Sequence, residues 1–417
     1  MIDPLAPPPK KDPQKRSRVP TAPPGARSRA ALGLSAAAAE GRFMLQACTE
    51  CGTVQYPPRD ACAGCLSTAL RWTDIAPEGT LLAETTVRTS VNVYFRERAP
   101  WRIGTVKLDA GPVIVCHLHA DCERGAPVRM LSRLDKSGQG VLLAVPPELT
   151  PHFEDDPQWR ELTCTPKFRR VLITDGRSAS GLALSREFAR AGASIVFVGE
   201  SERWLPNPNR EPLARVPGVE LVPLDVSDTD SVVELAGEIG GKVDILVNNA
   251  RFVRPGGILE RGDVNFARNE MEVNYLGMMR VAQSFGPVMA GRGSDGVNSA
   301  AAWVNLLSVY ALANRPDFGC FAASNAAALS LAQCLRAEMR AGGVRVVNVF
   351  SGPTEDEWHQ PLPPPKVGAS ALGRAVLEAL NQGLEDVYVG DVARDLVERW
   401  RANPKVLERE LTDPESR

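Results

Sequence analysis

Val171-Leu-Ile-Thr-Asp-Gly-Arg-Ser-Ala-Ser-Gly181 is the stretch that decides the fold. Val171–Thr174 is a short β-rich apolar run. The turn after it carries Gly176 and Gly181 and opens into a helical pattern at Ala183–Ala191. A strand, a glycine-bearing turn and a helix in succession make half of a βαβ unit. The texture repeats downstream. Ile195–Val198, Ile245–Val247, Ala302–Leu307 and Arg345–Phe350 are further strand-like runs, separated by helical patterns such as Ala326–Ala341. That alternation specifies a Rossmann-type, doubly wound parallel sheet with helices on both faces, an α/β domain over residues 168–400.

The chain has 417 residues, too many for one ordinary core, so a multidomain protein is expected. Its formal net charge of -2 leaves no basic footprint for nucleic acid or an acidic membrane surface. No apolar run approaches membrane-spanning length, so neither a membrane span nor a nucleic-acid partner is expected. The first 35 residues are basic and proline-rich and read as a disordered tail. A transit peptide is the alternative, weakened by Asp3, Asp12 and the prolines. Nine cysteines without a secretory signal favour a reducing compartment, the cytoplasm, where paired cysteines suggest a metal before a disulfide.

Residues 36–75 hold Cys48-x2-Cys51 and Cys62-x2-Cys65. Each pair bends the chain so that both sulfurs face one point, with Gly52 and Gly64 easing the turns. Four thiolates leave no open position, which points to structural zinc, with iron as the chemical runner-up. A redox dithiol or chance buried cysteines are the other readings. Residues 76–147 show short strands at Leu81–Ser90, Trp101–Asp109, Val113–His119 and Val141–Val145, which suggests a small barrel or sandwich. Cys116, His117, His119 and Cys122 are read as ordinary strand residues, because Cys116 faces away from the two histidines. Residues 148–167 read as a linker and residues 401–417 as a C-terminal tail.

The segment at about 40–147 resembles the acyl-CoA-associated zinc-ribbon plus OB-fold family. The matching stretches are ACTECGTVQYPPRDACAGCLS with Trp72, PEGTLLAET, PWRIGTVKLDAGPVIV and SGQGVLLAVP. The resemblance implies a rubredoxin-like ribbon at 36–75, an OB-fold at 76–147, and a thiolase-like partner enzyme that holds the catalytic residues. Direct contact with acyl-CoA is a further implication.

Residues 168–400 resemble the short-chain dehydrogenases over nearly their whole length. Thr174, Asp225-Val226, Asn248-Asn249-Ala250, Asn274 in EVNYLG, Ser308 in VNLLSVYAL and Ser351-Gly352 fall in the family's order. The resemblance implies cofactor-binding roles for Thr174, Gly181, Glu200, Asp225, Val226 and Asn249, and retained catalytic-site positions for Ser308 and Asn274. The departures matter more. Where the family has Tyr-x-x-x-Lys, this chain has Phe321-Ala-Ala-Ser-Asn325, thirteen residues after Ser308. Phenylalanine carries no proton to give, and asparagine has no ammonium to tune a tyrosine. Loss of general acid–base help alone costs on the order of 10²–10⁴ in rate. Tyr310 is a poor substitute, with no lysine four residues on. The glycine-rich turn keeps only Gly181 in place, and Asp175 sets a carboxylate near the pyrophosphate position. Arg177 could compensate in part. Tight NAD binding is therefore not expected. If a dinucleotide does bind, Glu200 favours NAD over NADP, unless it is a solvated loop acid.

In that family, subunits pair through helices equivalent to Phe266–Met289 and Phe321–Ala341. Met271, Met278, Met279, Leu329 and Leu331 support their burial. The expected function is a non-catalytic bridging subunit joining a thiolase-like enzyme to an active short-chain dehydrogenase subunit in acyl-CoA degradation. The alternative is an NAD-linked 3-hydroxyacyl-CoA dehydrogenase with an altered site.

Overall fold

The computed structural model describes residues 2–9, 19–201, 205–293 and 299–412. Parts of both expected tails, 10–18 and 413–417, lie outside the described residues. The chain divides into two compact units. One consists mainly of Thr21–Thr165, the other mainly of Pro166–Ala379 and Asp386–Arg417.

The N-terminal unit begins with helix α1 (Leu32–Ala39). Strands β1 (Met44–Cys48), β2 (Val54–Gln55) and β3 (Leu70–Asp74) follow, forming an antiparallel sheet in the order β2-β1-β3. Next come β4 (Glu78–Val87), helix α2 (Val93–Glu97), β5 (Trp101–Leu108), β6 (Val113–Leu118), β7 (Pro127–Leu134) and β8 (Gly140–Val145). These five strands close into a barrel, β4-β5-β6-β8-β7, around Leu81, Val106, Ile114, Leu118 and Met130. The barrel confirms the OB-type architecture. The strand β7 was not anticipated, because Arg129 and Arg133 interrupt its apolar run.

Two expectations fail here for the same reason. Residues 32–35 of the expected disordered tail belong to α1, whose Leu34, Ala37 and Ala38 are buried, with Leu34 in the barrel core. Gly140 permits this approach: a Cβ there would lie 2.7 Å from the Leu34 carbonyl carbon. The expected linker at 148–167 instead forms a helical turn at Phe153–Asp155 and α3 (Pro157–Leu162). Asp156 accepts from Trp159 N as the α3 cap. Phe153, Trp159 and Leu162 pack with Leu143 and Val145. In both segments a few apolar side chains outweigh a polar, proline-rich composition.

In the C-terminal unit seven parallel strands run in the order β11-β10-β9-β12-β13-β14-β15. They are β9 (Arg170–Ile173), β10 (Ile195–Glu200), β11 (Val219–Pro223), β12 (Ile245–Asn248), β13 (Ala302–Ser308), β14 (Arg345–Ser351) and β15 (Asp386–Val389). The helices are α4 (Ala179–Arg190), α5 (Arg210–Ala214), α6 (Thr229–Ile239), α7 (Asn265–Met271), α8 (Met278–Ala290), α9 (Gly319–Met339), α10 (Ala369–Gln382), α11 (Asp391–Ala402) and α12 (Pro404–Thr412). A π-type turn at Glu272–Gly277 joins α7 to α8. The expected tail after residue 400 is thus partly helical, and α12 buries Leu407 among Phe318, Phe321 and Leu396. The strand order reverses direction between β9 and β12, the switch point where ligands of open α/β sheets sit.

Among the described residues one helical stretch, Pro316–Gly342, is long and apolar enough by length and composition to cross a bilayer, which the sequence reading did not anticipate. It contains α9, a core helix that buries Phe321, Ala328, Ala332, Leu335 and Met339. On the sheet a polar row crosses three strands, buried at Trp303, Asn305 and Asn348 and ending on the partly exposed Asp386. Trp303 Nε1 donates to Asn305 Oδ1, Asn305 Nδ2 to Asn348 Oδ1, and Asn348 Nδ2 to Asp386 Oδ1. Such a row fixes register, since a slip of one residue would strand the buried Asn305 and Asn348 amides in an apolar layer.

If α3 is a structural element of the barrel unit, Trp159→Ala destabilises it by about 3–5 kcal/mol. Chemical denaturation followed by far-ultraviolet circular dichroism checks this, and a loss below about 1 kcal/mol would return the segment to linker status.

Candidate metal centre and candidate active-site cleft

The four cysteine sulfurs of the ribbon lie within 4.8 Å of one another. Cys48 Sγ is 3.6 Å from Cys65 Sγ, and Cys51 Sγ is 3.5 Å from Cys62 Sγ. Tetrahedral zinc with bonds of ~2.3 Å requires sulfurs about 3.8 Å apart, so the cluster fits the ion. Both knuckles turn through a left-handed residue. Gly52 (φ 73°) donates its N–H to Cys48 O, and Leu66 (φ 64°) donates to Cys62 O. Leu66 carries the second left-handed turn, and Gly64 contributes by donating its N–H to Cys62 Sγ at 3.3 Å. Two glutamines support the knuckles where a ribbon this small has little apolar core. Gln55 Nε2 donates to Gln46 Oε1, Gln46 Oε1 also accepts from Arg59 N, and Gln55 Oε1 accepts from Ala63 N.

The barrel histidines and cysteines are structural. Trp101 Nε1 donates to His117 Nδ1 at 2.8 Å, and burial lowers the His117 pKa to about 4, so the ring is a neutral acceptor. Burial raises Cys116 and Cys122 to about 12. Protonated thiols are poor metal ligands. Among the described residues the four ribbon cysteines form the one metal-type cluster.

In the C-terminal unit a cavity of about 440 Å³ opens at the carboxyl ends of β9, β12, β13 and β14. It brings together Asn249, Asn274, Ser308, Phe321 and Asn325. Thr174, Gly181, Glu200, Asp225 and Val226 do not line it.

The polar side chains Asn274, Ser308 and Asn325 at these positions have protein partners. Asn325 Oδ1 accepts from Ser308 N at 2.9 Å, and Asn325 Nδ2 donates to Phe321 O at 3.0 Å. Asn274 Nδ2 donates to Phe252 O and to Ser324 Oγ, and its Oδ1 accepts from Phe252 N, each at 2.8 Å. Both of its donors are committed. Ser308 Oγ accepts from Tyr310 N, and Phe321 is buried. Tyr310 is buried, and burial pushes its pKa up to about 12, away from neutrality.

The glycine-poor turn is likewise closed on itself. Asp175 Oδ1 accepts from Arg177 N at 3.0 Å and Asp175 Oδ2 from Ser178 N at 3.2 Å. Ser178 Oγ caps α4 by accepting from Gly181 N. Thr174 Oγ1 accepts from the N–H groups of Asn249 and Ala250. Gly181 is required where it stands, because a Cβ would come within 2.0 Å of Asp175 O. Arg177 does not compensate the Asp175 charge. Its guanidinium donates to Leu205 O and Pro206 O. Glu200 is not a solvated acid either: it is buried, accepts from Asn207 Nδ2 and pairs with Arg210 at 2.9 Å. Asp225 Oδ1 accepts from the Ser227 N–H and hydroxyl.

The sequence reading assigned no role to the cleft residues Arg251, Arg254 and Asp356. Arg251 stands where the family motif ends in glycine. It donates to Thr354 Oγ1 at 2.9 Å and forms a salt bridge with Asp356, joining the loop after β12 to the loop after β14. Thr354 Oγ1 donates to Asp356 Oδ2 at 2.6 Å, and His359 Nδ1 lies 2.8 Å from Asp356 Oδ1. Arg254 stacks over Trp358 at 3.6 Å. The arginine in place of glycine was the available signal. Burial opposes ionisation of Asp356, but the hydrogen bond with His359 and the Arg251 charge outweigh it and hold its carboxyl well below the usual range.

Comparison with known proteins agrees with this geometry. Residues 169–365 match the family model of short chain dehydrogenases. The 1-deoxy-11-beta-hydroxypentalenate dehydrogenase of Streptomyces exfoliatus is 32% identical over 223 residues, 51% of this chain and 79% of that protein. The chain belongs to the short-chain dehydrogenase family. An uncharacterized oxidoreductase of Mycobacterium tuberculosis is 34% identical over 204 residues, and the chain spans 58% of its length. A crystal structure of a short chain dehydrogenase from Burkholderia cenocepacia in complex with NADP superposes with a TM-score of 0.54 at 29% identity, covering 60% of this chain and 100% of that one. In front of this dehydrogenase domain, residues 35–71 match the ChsH2 rubredoxin-like zinc ribbon domain and residues 72–133 the ChsH2 C-terminal OB-fold domain.

Two predictions follow from the sites. The purified chain carries about one zinc, and Cys51→Ser abolishes it with loss of the ribbon fold, read by elemental analysis and circular dichroism. Because the Asp356 carboxyl is depressed on folding, its contribution is complete above about pH 4 and is lost as pH falls through the folded value. Asp356→Asn therefore flattens the fall in melting temperature as pH drops below about 4; parallel curves for the two proteins would refute the assignment.

Proposed function

We propose that the chain is a non-catalytic bridging subunit acting in the cytoplasm. Its zinc ribbon and barrel would engage a thiolase-like enzyme. Its dehydrogenase domain would pair with an active short-chain dehydrogenase that makes the ketoacyl thioester the first enzyme cleaves. The observation that carries this reading is the Asn325 amide, which spends its acceptor on Ser308 N and a donor on Phe321 O. A lysine could give nothing to the Ser308 N–H, because an ammonium has no acceptor. The position has exchanged a proton-transfer role for a structural one. A domain that keeps its fold while its reactive pair is gone retains its surfaces. Met271, Met279, Leu329 and Leu331, on the helices through which the family pairs, are only half-buried within the chain.

A second reading has its own support. The cavity persists, and Ser308 still lines it. A weak 3-hydroxyacyl-CoA dehydrogenase, using NAD or the NADP carried by the Burkholderia structure, would use that hydroxyl.

Co-expression with a thiolase-like and an intact dehydrogenase gene from the same locus tests the first reading. One complex containing all three chains is expected, together with no turnover of 3-hydroxyacyl thioesters by the isolated chain with either nicotinamide cofactor. A chain that captures neither enzyme, or that turns over alone and loses this with Ser308→Ala, would reverse the conclusion. Phe321→Tyr with Asn325→Lys is expected to leave the isolated chain inactive.

A further inference from the structure

We infer that the two ends of the dinucleotide cleft are closed to a cofactor by the chain's own side chains, Asp175 at the phosphate end and Arg251 at the end where Ser308 and Phe321 stand, while the cavity between them stays open. This rests on reading the domain as a dehydrogenase fold without turnover, and it adds which residues decide what the cleft accepts.

At the phosphate end the turn before α4 would normally aim its N–H groups at an anion, and the helix terminus favours negative charge. Here the anion is internal. The two Asp175 oxygens hold Arg177 N and Ser178 N, while Ser178 Oγ holds Gly181 N. The Asp175 backbone is held from behind, since Asp175 N donates to Asn249 Oδ1 at 2.9 Å and Asn249 Nδ2 donates to Asp175 O at 2.7 Å. The turn's carbonyls are closed from the other side by Asn209 Nδ2, which donates to Arg177 O at 2.8 Å and Ser178 O at 3.0 Å. A pyrophosphate would have to displace this carboxylate or lie beside it, and Arg177 is committed to Leu205 and Pro206.

At the other end Arg251 crosses from the loop after β12 to Thr354 and Asp356. Its anchor is rigid. Asp356 Oδ1 also accepts from Trp358 N at 3.0 Å and His359 N at 3.1 Å, and His359 stacks on Phe318 at 5.2 Å. Both residues line the cavity, and both replace glycine of the family motifs: Asp175 the first glycine of the turn, Arg251 the last residue of Asn-Asn-Ala-Gly. Restoring glycine at either place frees backbone donors or space without touching Phe321 or Asn325.

The test is titration of the full chain with NADH and NADPH, followed by nicotinamide fluorescence, for wild type, Asp175→Gly, Arg251→Gly and the double variant. The expected result is no saturable binding by wild type up to about 1 mM, a gain of roughly tenfold or more from each glycine, and roughly 100-fold from the two together. Asp175→Asn, which keeps an acceptor but removes the charge, carries the same test should Asp175→Gly not fold; it is expected to gain less. Micromolar binding by wild type overturns the inference. So does a double variant that melts like wild type and still ignores both dinucleotides. Dinucleotide binding by wild type without turnover removes this inference alone; turnover of a 3-hydroxyacyl thioester by wild type removes the functional reading on which it rests.

Discussion

The end of β13 is tied to α9 by one side-chain amide. Asn325 accepts from Ser308 N and donates to Phe321 O, so strand end, helix and cavity wall share one fixed spacing. A buried backbone N–H left without such an acceptor costs about 1–3 kcal/mol. The Asn325 side chain therefore supplies an acceptor that the end of β13 uses. Phe321 packs into the cluster of Val309, Tyr310, Phe318 and Leu396. The two residues together tie the strand end and the helix into the core.

The same logic runs through the polar groups nearby. In an active site, donors and acceptors are left uncommitted so that ligand and transition state can use them. Here Asn274, Asn249, Asp175 and Glu200 have protein partners. Membership of a dehydrogenase family fixes the sheet order and the crevice, while the chemistry depends on which of these groups remain unspent.

The N-terminal unit solves a different problem. A ribbon of three short strands buries too little apolar surface to stand by itself, and four thiolates around one ion supply the missing constraint. The buried Gln46 and Gln55 amides saturate the backbone of the knuckles. The barrel beside it is a conventional apolar core, extended by α1 and by α3 with Trp159.

Local pattern alone settled much of this. The Cys-x2-Cys spacings, the strand-helix alternation after Arg169, and the interval from Ser308 to Phe321 are short-range features, and each carries its physical meaning within a few residues. Strand β7 was hidden because charges at Arg129 and Arg133 break its pattern, and α1 and α3 were hidden because their value lies in a few apolar contacts with distant strands. What only the tertiary structure decided are the pairings between residues far apart: Arg251 with Asp356 across 105 positions, Asn274 with Ser324 across 50, and Asp175 with Asn249 across 74. Sequence states which groups a chain owns. Whether a carboxylate or amide is free for a ligand depends on which partner the fold brings within 3 Å, and that is a property of three-dimensional proximity.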